Sequence, residues 1–218
     1  MTRKTLFITG ASSGIGAETA RQAVAAGWNV GLFARSEDKL AALVDELGEH
    51  AIALPGDATS LEAQTEAMAK LAGHFGDVNA AFANAGMGVS GAGTLAGEPE
   101  EWQSMVELNV MGVLWTAKAA STYFQKNGGH LLLTGSAAGR THIKGSVYGA
   151  TKWFVHGYGG NLAEEFREWG ARVTVDTPFF DEAKPDKLKP EDIAEAVIYA
   201  LGANKRANVQ EVFVMPNG

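Results

Sequence analysis

The sequence predicts an α/β fold: one doubly wound, mostly parallel sheet of about seven strands with helices on both faces. Three observations predict it. Short apolar runs recur along the chain, and most are apolar throughout instead of alternating, the pattern of parallel strands covered on both faces. Longer segments of helical periodicity separate them, and several open on Ser or Pro and close on Gly, as helix caps do. The repeated strand–helix–strand order then implies right-handed crossovers into a single sheet.

The elements follow in order. The first strand is "TLFIT" at 5–9, followed by a helix that begins near Gly14 and continues through "GAETARQAVAAG". "NVGLFA" at 29–34 is the second strand, with the helical "SEDKLAALVDELG" after it, and "AIALP" at 51–55 is the third, with "SLEAQTEAMAKLAGHFG" after it. The fourth is "VNAAFA" at 78–83; the glycine-rich "GMGVSGAGTLAG" at 86–97 then reads as a flexible loop too short to divide domains. A helix begins near Pro99 and carries "WQSMVELNVMGVLWTAKAA", apolar on more than one face, so it can pack on a second chain as well as on its own sheet. "HLLLTG" at 130–135, "RVTVDT" at 172–177 and "EVFVM" at 211–215 complete the strands, with a helix from near Val147 between the first two. "KPDKLKPED" at 184–192 reads as a solvated loop leading into the last helix.

A chain of 218 residues fits one domain, 1–218, and 46% hydrophobic residues suffice for a sizeable core. A formal net charge of -7 argues against nucleic acid, whose phosphates select a basic surface. No apolar run approaches the roughly 20 residues of a membrane span, and only three apolar residues follow the basic N-terminus before Thr9, too few for a signal-peptide core. With no cysteine, disulfides, thiolate metal sites and cysteine nucleophiles are excluded. A cytoplasmic location is the simplest reading. His142 and His156 lack paired ligand spacing and read as surface or packing residues, so no metal site is expected. Trp153 reads as helix packing or a subunit contact.

"TGASSGIG" at 9–16 joins the first strand to the first helix. Gly10 would allow a sharp turn, Gly14 would let a pyrophosphate approach the backbone, and Gly16 would let helix and strand pack closely. Helix-start amides and the helix dipole favour the phosphate charge, and Ser12 and Ser13 add hydroxyl donors. An ordinary strand–helix turn is the alternative. At the end of the second strand, where NAD-preferring proteins place an acid for the ribose 2′-hydroxyl, the chain has Ala34 and then Arg35. An arginine there can grip a 2′-phosphate through two parallel hydrogen bonds, with the Ser36 hydroxyl beside it. That pattern favours NADP over NAD; a solvated turn arginine is the alternative.

"YGATK" places Tyr148 and Lys152 on one helix face at i and i+4. A phenol loses its proton near pH 10. A neighbouring ammonium would bring that down toward working pH and make a general acid/base, whereas an exposed Tyr–Lys pair would do neither. Ser136 lies just past the fifth strand and Asn84-Ala85-Gly86 just past the fourth, the sheet edge where ligands bind in open α/β sheets. Asn109 sits within an otherwise apolar helix, where a buried amide needs partners.

Taken together, Thr9-Gly10-Ala11-Ser12-Ser13-Gly14-Ile15-Gly16, Asp57, Asn84-Ala85-Gly86, Asn109, Ser136, and Tyr148 with Lys152 resemble the short-chain dehydrogenase/reductase family, in order and separation across about the first 180 residues. The resemblance implies a Rossmann-type sheet, a nicotinamide cofactor, and reversible hydride transfer between that cofactor and an alcohol or carbonyl carbon. It implies that Tyr148 is the acid/base, that Lys152 lowers its pKa and binds the nicotinamide ribose, and that Ser136 holds the substrate oxygen. Asn109 would anchor a water in a proton relay through Lys152. Asp57, with Ala58, would meet the adenine, Asn84 to Gly86 the adenosine ribose, and Ile15 and Pro178 would complete the cofactor site. Ala83 stands where the family often has a first asparagine, and Phe179 where it has a glycine after Pro178. Only eleven residues, 179–189, separate Pro178 from Pro190, a short substrate loop, and Phe179 or Phe180 would line the substrate pocket.

The expected protein is therefore an NADP-dependent carbonyl reductase acting on a small ketone or aldehyde, or oxidising the alcohol, as a homodimer or homotetramer paired through the helices near Pro99 and Val147. No basic cluster surrounds the pocket to favour a multiply anionic substrate; Lys144 is the single candidate. A second reading keeps the fold as a catalytically silent, NADP-sensing regulatory protein, and turnover of a carbonyl panel separates the two.

Overall fold

A computed structural model describes residues 3–88, 93–178, 188–204 and 206–217. Its seven strands are β1 (Lys4–Thr9), β2 (Trp28–Ala34), β3 (Ala51–Pro55), β4 (Ala80–Ala83), β5 (His130–Thr134), β6 (Arg172–Pro178) and β7 (Glu211–Val214). All pair in parallel, in the order β3-β2-β1-β4-β5-β6-β7. The seven α-helices are α1 (Gly14–Ala25), α2 (Glu37–Leu47), α3 (Leu61–Phe75), α4 (Pro99–Val106), α5 (Gly112–Asn127), α6 (Val147–Arg167) and α7 (Pro190–Gly202).

The non-alternating strands are explained by two cores, one on each face. On one, Phe7, Phe33, Leu131, Leu133 and Val175 pack with Leu71 of α3, Phe124 of α5 and Phe166 of α6. On the other, Leu6, Ile8, Leu32 and Leu132 pack with Ala20 of α1, Leu40 of α2 and Val197 of α7. Neighbours along a strand point to opposite faces, so Leu6, Phe7 and Ile8 must all be apolar. The register Ile8↔Leu32 and Ile8↔Phe82 keeps each face continuous across the sheet.

Strand order reverses between β1 and β4, because β1 runs outward through β2 and β3 while β4 restarts on its other side. The loops leaving β1 and β4 therefore diverge and open a crevice at the carboxyl edge, where open α/β sheets bind ligands. One departure from the sequence reading lies beside it. The helix from Pro99 to Asn127 is not α-helical throughout: a π turn, Glu107–Met111, joins α4 to α5 and carries Asn109. Such insertions cluster at functional sites, and here the tertiary partners of Asn109 hold it.

Candidate active site

The turn after β1 is built by two left-handed glycines, Gly10 at φ +66 and Gly14 at φ +53. A Cβ on Gly10 would stand 2.9 Å from Ala85 Cα, and one on Gly16 would strike the Gly10 carbonyl and the Asn84 amide, so Gly16 brings α1 against the sheet. Thr9 ties this turn to the β4 loop: its Oγ1 accepts from Asn84 N and Ala85 N, each at 3.0 Å, and Asn84 Nδ2 donates to Thr9 O at 3.0 Å. The Ser13 side chain makes no cap bond to α1, and α1 has no acid in its first turn. Its N-terminal amides and positive dipole end thus face the crevice uncompensated, which suits an anion.

The crevice is a cavity of about 900 Å³, within the range of ligand sites. Its inner wall is formed by Gly10, Ser12, Ser13 and Ile15, and by Asn84, Ala85 and Gly86. Arg35, Ser36, Asp57 and Ala58 line one end. Asp57 Oδ1 accepts from Thr59 N and Thr59 Oγ1, both at 2.9 Å, while Ser60 caps α3 by accepting from Ala63 N at 3.1 Å. The loop is anchored by buried Gln64, which donates to Ala58 O at 2.7 Å and to Gly112 O at 3.1 Å. Arg35 makes no ion pair among the described residues, and no acid of β2 faces it. The features together fit a dinucleotide: amides for a pyrophosphate in the middle, a guanidinium at one end.

Ser136, Tyr148, Lys152 and Pro178 line the other end. Ser146 caps α6 by accepting from Gly149 N at 2.9 Å. That fixes the first turn, on which Tyr148 stands. Tyr148 and Ser136 both line this wall, and the Ser136 side chain favours the ionised form of the phenol. Lys152 is buried, and its Nζ donates to Thr134 O at 2.7 Å. Burial brings its ammonium down to about 8.

A profile of the short chain dehydrogenase family matches residues 4–184. The chain belongs to the short chain dehydrogenase family. An uncharacterized oxidoreductase of Staphylococcus aureus (strain MRSA252) is 36% identical over 228 residues, spanning 99% of this chain and 98% of its own. Among solved structures, the alcohol dehydrogenase of the archaeon Thermococcus sibiricus, complexed with 5-hydroxy-NADP, matches with a TM-score of 0.91 at 30% identity, covering 99% of this chain and 97% of that one. The 3-ketoacyl-(acyl-carrier-protein) reductase of Brucella melitensis, complexed with NADH, matches with a TM-score of 0.91 at 26% identity over 99% and 97% of the two chains. This short chain dehydrogenase is accordingly an oxidoreductase, and similar structures hold either NADP-type or NAD-type cofactors. Among the described residues, no helix is long and apolar enough to cross a membrane.

For a short chain dehydrogenase read from sequence, most expected residues line this cavity. Gly14 and Gly16 do not line it; they shape and pack the turn. The Lys152 ammonium, expected to act on the Tyr148 phenol, makes its hydrogen bond elsewhere. It lies 5.7 Å from the phenol ring centroid, turned to the Thr134 carbonyl. Burial pushes the phenol up, and the neighbouring Ser136 side chain offsets part of that. The Asn109 amide is engaged: Nδ2 donates to Met87 O at 2.8 Å and Thr151 Oγ1 at 3.1 Å, while Oδ1 accepts from Met87 N at 2.9 Å. Asn109 clamps the loop after β4 onto α6. Phe179 and Phe180, expected in the substrate pocket, lie outside the described residues, as does loop 179–187. The sequence reading passed over Met87, Trp102 and Ile143, which also line the cavity; as single apolar residues in loops and a helix they carry no distinguishing pattern.

Proposed function

We propose that the protein is an NADPH-dependent carbonyl reductase, taking a small ketone or aldehyde. The observation that carries this reading is that Ser136, Tyr148 and Lys152 line one cavity together with Arg35. Bound NADPH would supply the hydride. The protein supplies the rest: the Ser136 and Tyr148 hydroxyls of the same cavity would both donate to a carbonyl oxygen bound there. Ser136 Oγ is oriented by accepting from Ala138 N at 3.1 Å, which leaves its own proton free to point at substrate. As negative charge develops on the oxygen, these fixed donors stabilise it, and Tyr148 gives up its proton. Burial favours the protonated form of the phenol, the form this acid role needs. Lys152, with an ammonium of pKa about 8 in the same wall, is placed to bind a cofactor ribose and to support reprotonation.

The NADP preference rests on Arg35. A charge-assisted hydrogen bond contributes about 1.5–3 kcal/mol, so NADPH should bind roughly 10–100 times tighter than NADH. Exposed Val106 on α4 and Trp153 on α6 lie on the helices expected to pair two copies, in keeping with a homodimer or homotetramer. The test is a panel of aldehydes and ketones assayed for NADPH oxidation. Turnover of at least one class supports the reading. Tight NADPH binding with no turnover across the panel would favour a silent cofactor sensor.

A further inference from the structure

The α6 face that carries Tyr148 and Lys152 continues one turn further to His156, at i+8. Its imidazole is buried and lies beneath the Ser136 turn. Nε2 stands 3.2 Å from the Ser136 carbonyl oxygen, which also accepts from Gly139 N at 2.9 Å. The glycines on either side of Ser136 make room for the ring. A Cβ on Gly135 would come within 3.0 Å of His156 Cε1 and Nε2, and one on Gly139 within 2.6 Å of His156 Cδ2. The same positions approach Val175 Cγ1 and the Lys152 backbone, so the turn, the ring and α6 pack as one unit.

Glu211 lies behind the ring. Nδ1 lies 3.5 Å from Glu211 Oε1 on β7. Glu211 is itself fixed: its Oε1 accepts from Thr177 Oγ1 at 2.9 Å and Arg140 Nε at 3.1 Å, and Arg140 Nη2 pairs with its Oε2. Arg140 follows the Ser136 turn directly and Thr177 belongs to β6, so the carboxylate fastens three elements around the imidazole. A carbonyl can only accept, so Nε2 must carry the proton.

We infer that His156 is the positioning residue that fixes the Ser136 turn and so aims the Ser136 hydroxyl at the substrate oxygen. His156 touches no reacting atom; it acts through the Ser136 carbonyl. Ser136 sits in extended backbone, φ -171 and ψ 152, between a strand and a single 3-10 turn. Apart from the turn's own Gly139 amide, the imidazole is the group that holds its carbonyl. Displacements of about 1 Å in such a group can cost on the order of 10²-fold in rate. The charged groups around the imidazole are Glu211 and Arg140 on one side and Lys152 on its own helix.

The inference rests on the proposed roles of Ser136 and Tyr148, and the experiment separates the two. Wild type, His156→Met, His156→Gln and Tyr148→Phe are compared for kcat, KM and NADPH affinity on one carbonyl substrate. Met keeps the bulk and loses the donor; Gln restores an N–H at the position of Nε2. The expected result is a kcat loss of about ten-fold or more in His156→Met, with NADPH affinity unchanged and kcat largely recovered in His156→Gln. A His156→Met kcat within about twofold of wild type, or a Gln variant as impaired as Met, overturns the inference while leaving the site reading intact provided Tyr148→Phe is inactive. A fully active Tyr148→Phe overturns both. Should His156→Met fail to fold, the imidazole tautomer of the wild-type protein, read by nitrogen NMR, decides: a proton on Nε2 bonded to a carbonyl supports the inference, and a bare Nε2 overturns it.

Discussion

Asp176 provides a test that needs no substrate. It lies on β6 opposite Thr134 of β5, is 1% exposed, and neither carboxyl oxygen has a hydrogen-bond partner among the described residues. Burial raises its pKa from 3.8 to about 7. Because the folded value exceeds the unfolded one, the folded protein keeps the proton between those limits and the unfolded chain gives it up. Stability therefore falls as pH rises through that window and levels off above it. A shift of roughly three units, at about 1.36 kcal/mol each, amounts to about 4 kcal/mol. Asp176→Asn has nearly the same shape and cannot ionise. It should match the wild type within about 1 kcal/mol at pH 4 and exceed it at pH 8 by a few kcal/mol, or roughly 10 °C in Tm for a chain of this size. The assay is urea and thermal unfolding of both proteins at each pH and at equal concentration. A stability difference that does not change with pH would refute the reasoning, because it would mean that the carboxyl ionises in the folded protein as readily as in the unfolded chain.

Other outcomes follow from the same geometry. Arg35→Ala should weaken NADPH binding about 10–100-fold and leave NADH nearly unchanged, with titration of both cofactors as the check; equal affinities in the wild type would remove Arg35 from the account. Gly16→Ala should destabilise the fold by about 1–3 kcal/mol in urea unfolding, because its Cβ would strike the Gly10 carbonyl and approach Asn84 Nδ2 at 2.8 Å. Sedimentation or light scattering at micromolar concentration should give a dimer or tetramer, and a monomer would contradict pairing through the exposed faces of α4 and α6.

The fold was legible because burial on both faces forces the strands to be apolar throughout, and that pattern survives without any knowledge of partners. Tyr148, Lys152 and Ser136 were legible as well, since i and i+4 spacing and a position just past a strand are local facts. What depends on tertiary contacts was not. The π turn at Asn109 exists through bonds to Met87 and Thr151, far away in sequence. Which way the Lys152 ammonium points depends on the Thr134 carbonyl that accepts from it, 18 positions away. His156 looked like packing, although its i+4 spacing from Lys152 and the glycines at 135 and 139 were visible signs of a ring seated under Ser136. Asp176 stood in plain view as a charge inside an apolar strand.

The central claim is that Tyr148 delivers the proton that completes carbonyl reduction. The most direct measurement is a single-turnover comparison of wild type and Tyr148→Phe, pre-loaded with NADPH and mixed with a substrate whose chemical step limits the rate. The phenylalanine ring keeps the packing and loses only the hydroxyl. The account expects NADPH affinity to hold and the rate of NADPH oxidation to fall about 10²–10⁴-fold. A variant that retains more than about a tenth of the wild-type rate would contradict it.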